Sequence, residues 1–294
     1  MSTFLQALVD AVSSGALYGL AALGIGLVFG VLRLANFAHG EIITAAAYTL
    51  VFTWQYGPFV AIPLAILASV LLALLMELVV FRWMRRASDG TLLIASFGLS
   101  VLIQRVYEIG FGNNVRTAAV APALSGSITV GGVRIQLLSL VSILVAGVLL
   151  VAVHAFLTRS SVGLQVQAAA TDFRTARLLG VRANLVIMLT FAIAGALAAV
   201  VGFFLTVQIG AVGPSFGVNV TVMALIGAVI GGISSLWASV AGGFFVGFIA
   251  SLLASYLPGG IEVFRDAFVF GVVMVLLIFK PSGVLVRTRS LERA

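Results

Sequence analysis

An all-α polytopic membrane protein is the fold class this sequence predicts, on three observations. The 294 residues are 62% hydrophobic and only 9% charged, where a soluble domain averages about half apolar and about a quarter charged. Mean hydropathy is +1.24, and apolar runs of about 18 or more residues recur along the whole length, more than a soluble core absorbs. The runs are continuous, without the roughly ten-residue alternation of an outer-membrane barrel, so they predict helices rather than strands.

Apolar spans are read at 8–31, 41–56, 59–81, 91–109, 136–157, 185–208, 218–234, 236–257 and 266–280. The second is short and the seventh is short and Gly-rich, so the expected count is eight or nine crossings. The N-terminus, M-S-T-F-L-Q, has no basic region, so the first run reads as a retained span rather than a cleaved signal. Arginine placement orients the bundle. Arg33, Arg82, Arg85, Arg86, Arg159, Arg174, Arg177, Arg182, Lys280, Arg287, Arg289 and Arg293 are assigned to the cytoplasmic side, twelve of the sixteen basic residues. Arg105, Arg116, Arg134 and Arg265 fall outside or near the outer interface. Nine crossings then give an external N-terminus and a cytoplasmic C-terminus. The loop 110–135, punctuated by Gly, Asn, Pro and Ser and ending S-I-T-V-G-G-V-R, predicts a small extracytoplasmic hairpin. The whole chain, 1–294, reads as a single transmembrane domain.

Several chemistries are excluded. A chain without cysteine has no disulfide and no thiolate metal site. The single lysine, in F-K-P-S, cannot complete a P-loop, so ATP is not hydrolysed through that motif. Two histidines 115 residues apart argue against a metal centre, and no Ser/His/Asp group stands out; no enzyme is expected. The net charge of +7 is accounted for by topology, not nucleic acid.

Two polar breaks carry the functional expectation. R-L-A-N-F-A-H-G-E-I (33–42) places Asn36, His39 and Glu41 between apolar runs. One reading has them line a substrate path, since polar groups at membrane depth turn to a cavity or a partner. The other is a short turn whose Asn36 and Glu41 cap the next helix; spacing alone favours the turn. G-A-V-G-P-S-F-G-V-N-V-T (210–221) is a second break, with Pro214, Ser215 and Asn219. The first faces the cytoplasm and the second faces outward, and opposed breaks in corresponding positions raise the hypothesis of an inverted repeat framing a transport site.

Four G-x-x-x-G patterns, at 15–19, 26–30, 227–231 and 243–247, predict close helix packing, within the bundle rather than at a dimer face. Glu77 ahead of Arg82, and Arg105 with Glu108, read as interfacial charges that snorkel or pair, and His154 as an interfacial histidine. The segment 158–185 predicts a helix over 166–179 ended by Gly180 at C′, either resting on the cytoplasmic leaflet or docking a cytoplasmic partner.

G-A-L-Y-G-L-A-A-L-G-I-G-L-V-F-G-V-L-R-L-A-N-F-A-H-G-E resembles the N-terminal signature of bacterial ABC importer permeases of the branched-chain amino acid type, the smaller of the two permeases in such systems. The family's I-x-N-F-A-H-G-E is matched by residues 34–41, with Leu34 first. A-R-L-L-G-V (176–181) resembles the cytoplasmic coupling segment, V-I-G-G-I-S-S-L-W-A-S-V-A-G-G (229–243) a later Gly-rich run, and K-P-S-G (280–283) an ending usually seen as R-P-S-G. The coupling segment departs from D-P-E-x-A-R-L-L-G at Phe173 and Arg174, and Ser234 and Trp237 replace Gly or Pro. The resemblance implies ATPase coupling through Asp172, Arg174, Ala176, Arg177, Leu178, Leu179 and Gly180. It further implies a multi-pass place in the bacterial inner membrane, a sister permease, two cytoplasmic ATPases that use ATP, and an extracytoplasmic binding protein. The implied cargo is branched-chain or other apolar amino acids; relatives that carry urea or short amides keep that open. A self-sufficient channel or ion-coupled transporter is the alternative from the residues alone, with His39 and Glu41 as a proton-linked pair, and a structural scaffold is a third.

Overall fold

Apolar helices stand at each of the nine sequence spans. The structure, a computed structural model, describes residues 2–280 apart from 34, 86, 131, 132, 233, 234, 259, 262 and 263. Leu34, Arg86, Ser234, the tail arginines Arg287, Arg289 and Arg293, and with them the expected cytoplasmic C-terminus, lie outside the described residues.

In chain order the helices are α1 (Ser2–Leu32), α2 (His39–Thr53), α3 (Pro58–Met84), α4 (Asp89–Phe111) and α5 (Leu137–Arg159). Two short helices follow, α6 (Ser161–Thr171) and α7 (Phe173–Leu178). Then come α8 (Ala183–Ile209), α9 (Val218–Gly231), α10 (Leu236–Tyr256) and α11 (Arg265–Phe279). Six of them, α1, α3, α4, α5, α8 and α10, are long and apolar enough to cross a membrane, reaching roughly 30 Å or more at about 1.5 Å per residue. By contrast, α2, α9 and α11, of 15, 14 and 15 residues, reach only about 22 Å. Ahead of α2 and α9 lie the two non-helical breaks, at 35–38 and 210–217.

The centre is held by α1 and α8, which are 83% and 61% buried over their most apolar stretches, against 17% for α5. The packing repeats itself. Helices α2 and α3 pack on each other and on α8, while α9 and α10 pack on each other and on α1; α1 meets α8 and α2 meets α9. Exchanging α1 with α8, α2 with α9 and α3 with α10 leaves this pattern unchanged, which is the arrangement an inverted repeat requires.

Small residues make the close seams. All four G-x-x-x-G patterns face helices of the same chain: Gly15 and Gly19 lie on α10, Gly26 on Ser239, Gly30 on Ala170, Gly227 and Gly231 on α10, and Gly243 and Gly247 on α1. A Cβ on Gly243 would sit 2.5 Å from Ala22 Cβ and 2.7 Å from the Tyr18 carbonyl.

The loop after α4 carries the expected hairpin, β2 (Ser127–Val130) against β3 (Val133–Gln136), in antiparallel register Ser127 to Gln136. Ahead of it, β1 (Arg116–Thr117) pairs with β4 (Ala211–Val212), tying this loop to the second break.

Two local expectations change. The helix expected over 166–179 is two helices that meet at Asp172, whose extended backbone (φ −147°) ends α6. Its Oδ1 accepts from Thr175 N at 3.1 Å, restarting the chain as α7. Gly180 is at C′ with φ +88°, and Val181 N–H reaches the Ala176 carbonyl, a Schellman closure. Glu77 pairs, as expected, but with Arg85 rather than Arg82, and it is fully buried at a wide turn of α3, Glu77–Phe81; Arg85 also donates to Asn184 Oδ1 at 2.7 Å. A buried carboxylate needs a cation it can reach, and Arg85 lies two turns further along the same helix.

Gly243→Val is expected to lower stability by about 1–3 kcal/mol, read as thermal unfolding in detergent. Gly271→Ala, where an added Cβ meets nothing within 4 Å, should leave the midpoint unchanged.

Candidate functional site

The first break begins where α1 ends on Arg33, in the left-handed region at φ 56°. The chain then turns back: Asn36 Oδ1 accepts from Ala38 N at 3.0 Å, and His39 N and Glu41 N bond to the carbonyls of Asn36 and Ala38. Asn36 therefore makes a local Asx turn and does not cap a free amide deeper in α2. His39 opens α2 inside the bundle, its ring against Gly24 in the C-terminal half of α1, where a Cβ would lie 3.1 Å from the ring. Asn36, His39 and Glu41 are all buried, at 1%, 1% and 0% exposure.

The second break descends from the opposite end. Its Gly217 ends in backbone contact with Gly40, where a Cβ on Gly40 would lie 2.7 Å from the Gly217 carbonyl. Thr44 Oγ1 accepts from Gly217 N at 3.0 Å and donates to the Gly40 carbonyl at 3.0 Å. Thr221 stands in the corresponding place in α9, its Oγ1 2.8 Å from the same Gly40 Cβ position. The two half-length helices thus meet N-terminus to N-terminus, each starting with Gly-x-x-x-Thr. Both breaks reach the middle of the bundle from opposite ends, so they form one locus.

A third element completes the site. Ser96, Ser100, Gln104 and Tyr107 lie on one face of α4. Ser96 Oγ accepts from Phe37 N and donates to the Ala35 carbonyl, at 3.3 and 3.2 Å. Ser100 Oγ and Gln104 Nε2 donate to Glu41 Oε1 at 2.8 and 2.9 Å, and Tyr107 OH donates to the Glu41 carbonyl at 2.8 Å. These four were not singled out in the sequence, though their spacing of 4, 4 and 3 on an otherwise apolar helix is a readable signal.

Several buried polar atoms at this locus have no hydrogen-bond partner among the described residues: Asn36 Nδ2, both nitrogens of His39, Glu41 Oε2 and Thr221 Oγ1. Folded proteins satisfy nearly all such atoms, so the cluster is equipped to bind something polar. The remaining candidates lie elsewhere. Pro214 is buried and Ser215 exposed, and Asn219 is exposed and donates to Asp266 Oδ2 on α11 at 3.0 Å, not to the Glu41 group.

The coupling candidates form the tip of α7. Ala176 is buried, Leu178 and Leu179 are 87% and 80% exposed, and Gly180 supplies the turn. The side chains of Arg174 and Arg177 lie outside the described residues.

Apolar helices long enough to span a membrane, with two half-length helices meeting on buried polar groups, define a class, the polytopic membrane transporters. Within that class the chain belongs to the family of branched-chain amino acid transport system permease components, whose profile matches residues 7–278. It is 29% identical to the high-affinity branched-chain amino acid transport system permease protein BraD of Pseudomonas aeruginosa, over 97% of this chain and 96% of that one. It is 28% identical to the corresponding LivH protein of Escherichia coli over the same shares. A probable LivH of Methanocaldococcus jannaschii is 22% identical over 90% of this chain and 87% of its own. No solved structure matches the chain. The family drawn from N-F-A-H-G-E and A-R-L-L-G is thus the family found.

Thr44→Val leaves the buried Gly217 N–H unpaired and should destabilise by roughly 1–3 kcal/mol. Thr221→Val removes a hydroxyl that makes no bond and should not destabilise. Unfolding of the two variants in one detergent separates these outcomes, and equal losses would remove the assigned role of Thr44.

Proposed function

We propose that this chain is a transmembrane permease subunit of an ABC importer for branched-chain or other apolar amino acids. The carrying observation is the meeting of α2 and α9 inside the bundle on buried polar atoms that have no hydrogen-bond partner among the described residues. The free Glu41 carboxylate oxygen suits an ammonium group, and the positive N-terminal ends of α2 and α9 suit a carboxylate. Together they fit a zwitterion better than urea. The names of BraD and LivH, high-affinity branched-chain amino acid permeases, support the same cargo.

The reading places the chain in a bacterial inner membrane, with the α6–α7 end and the C-terminus cytoplasmic and the β2–β3 hairpin outside. A sister permease, two ATPases and an extracytoplasmic binding protein complete the importer. Leu178 and Leu179 are the apolar tip that docks on an ATPase. ATP binding then favours one arrangement of the two helix sets around the Gly40–Gly217 contact, and hydrolysis the other. Each state is selected by the partners' differential affinity.

In the assembled importer, Glu41→Gln should lower leucine uptake about tenfold or more, a loss of roughly 1.4 kcal/mol or more, with unchanged protein in the membrane. Unaltered uptake would return Glu41 to a structural role. Leu179→Asp should instead leave ATP hydrolysis running without transport, and normal coupling would remove the docking assignment. Leucine and alanine, but not urea or short amides, should compete for labelled uptake. Uptake by the purified chain alone would sink the importer reading.

A further inference from the structure

A cavity of about 480 Å³ opens between α1, α5, α6 and α10, away from the Glu41 locus. It is within the roughly 300–1,000 Å³ of ligand pockets. Its two ends differ. Leu23, Leu27 and Leu150 line the deep end, and Arg33, His154 and Gln167 the mouth. From Leu23 to Arg33 the α1 wall runs ten residues, roughly 15 Å. No carboxylate lines the cavity. Arg33 is exposed, and its guanidinium has no hydrogen bond or ion pair among the described residues. The His154 ring touches the Trp237 ring edge-on at 5.0 Å, and its nitrogens make no hydrogen bond among the described residues. The same arginine sits at φ 56°, a conformation that is strained for a long side chain and that persists where surroundings or function demand it.

We propose that this cavity binds one anionic phospholipid, with its phosphate at Arg33, His154 and Gln167 and an acyl chain along Leu23, Leu27 and Leu150. The occupant follows from the chemistry. An apolar trough that ends in an unpaired cation complements an amphiphile with an anionic head, whereas a free anion would leave the trough unfilled. A basic segment such as the chain's own tail, with Arg287, Arg289 and Arg293, would set like charge against Arg33. Aromatic and basic residues at the mouth are those that anchor at lipid headgroup level. The α6 wall of the cavity leads directly into Asp172 and α7, so a bound lipid would brace the root of the exposed Leu178–Leu179 tip.

The full-length protein in mild detergent is offered equal amounts of phosphatidylglycerol and phosphatidylcholine with identical acyl chains, and the retained lipid is read by native mass spectrometry. Phosphatidylglycerol should be retained about fivefold over phosphatidylcholine, the discrimination expected of one basic side chain. Arg33→Asn, which tolerates the left-handed backbone, should bring the ratio near one. Gly30→Leu fills the cavity from a position where an added Cβ meets only Ala170, at 3.5 Å; it should lose both lipids at an unchanged melting temperature. Equal retention of the two lipids by the unmodified protein would overturn the proposal. So would an unchanged ratio in Arg33→Asn, undiminished binding in Gly30→Leu, or displacement of the lipid by inorganic phosphate alone.

Discussion

Everything at the centre of this molecule depends on one backbone contact. Gly40 and Gly217 approach so closely that each occupies the space a Cβ of the other would need. Inside a bilayer every backbone polar group must find a partner within the protein, and helix N-termini are where amides go short. The Thr44 hydroxyl resolves this locally by bridging the Gly40 carbonyl and the Gly217 amide. With that bridge in place, two helices too short to cross can start in the middle of the bundle. The long helices α1 and α8 then enclose the join, and each leans on the other half's pair. The swapped packing follows from where the short helices begin.

The far end of α2 is held by different chemistry. Tyr48 stacks on Phe111 with ring centroids 4.6 Å apart, Tyr107 packs against both, and Arg116 lies over Phe52 at 5.1 Å. Val212 of β4 packs into the same group. The C-terminal end of the first half's short helix and the strand that begins the second break therefore share one aromatic cluster. A movement of α2 along its axis has to disturb both the Gly40–Gly217 contact and this cluster. The two breaks are thus in physical contact at both ends of α2.

Much of this was legible in the sequence because hydrophobic length is a strong signal. Nine apolar runs gave nine apolar helices, and the two spans singled out as short are the ones that begin at the Gly40–Gly217 contact inside the bundle. The tertiary relations were harder. Gly40 with Thr44 and Gly217 with Thr221 are the trace of the repeat, but two residues in five do not stand out among 32 glycines. The residues that satisfy Glu41 were missed for another reason: Ser100 and Gln104 are ordinary on an apolar helix until the partner across from them is known. Asn219, grouped with the path by its place in the break, is drawn to Asp266 by a contact 47 residues away. The break of 166–179 at Asp172 was readable, since Asp followed three residues later by Thr is a capping pattern. Continuous amphipathicity across the segment outweighed it.

The repeat is symmetric in backbone and asymmetric in chemistry, and this constrains how the site works. When Gly40 is matched to Gly217, His39 corresponds to Phe216 and Glu41 to Val218. The first half brings the ionisable groups and α4 brings their hydrogen-bond partners, while the second half presents apolar side chains at the equivalent places. A zwitterion held at such a locus would meet its polar contacts from one side and an apolar wall from the other. Movement of the second half could then open or close access with little desolvation of new charge, since Phe216 and Val218 carry none. The polar side is anchored on α4 through Ser100, Gln104 and Tyr107. On the proposed reading the glycine contact would serve as the pivot, with the first half as the binding platform and the second half as the wall that moves.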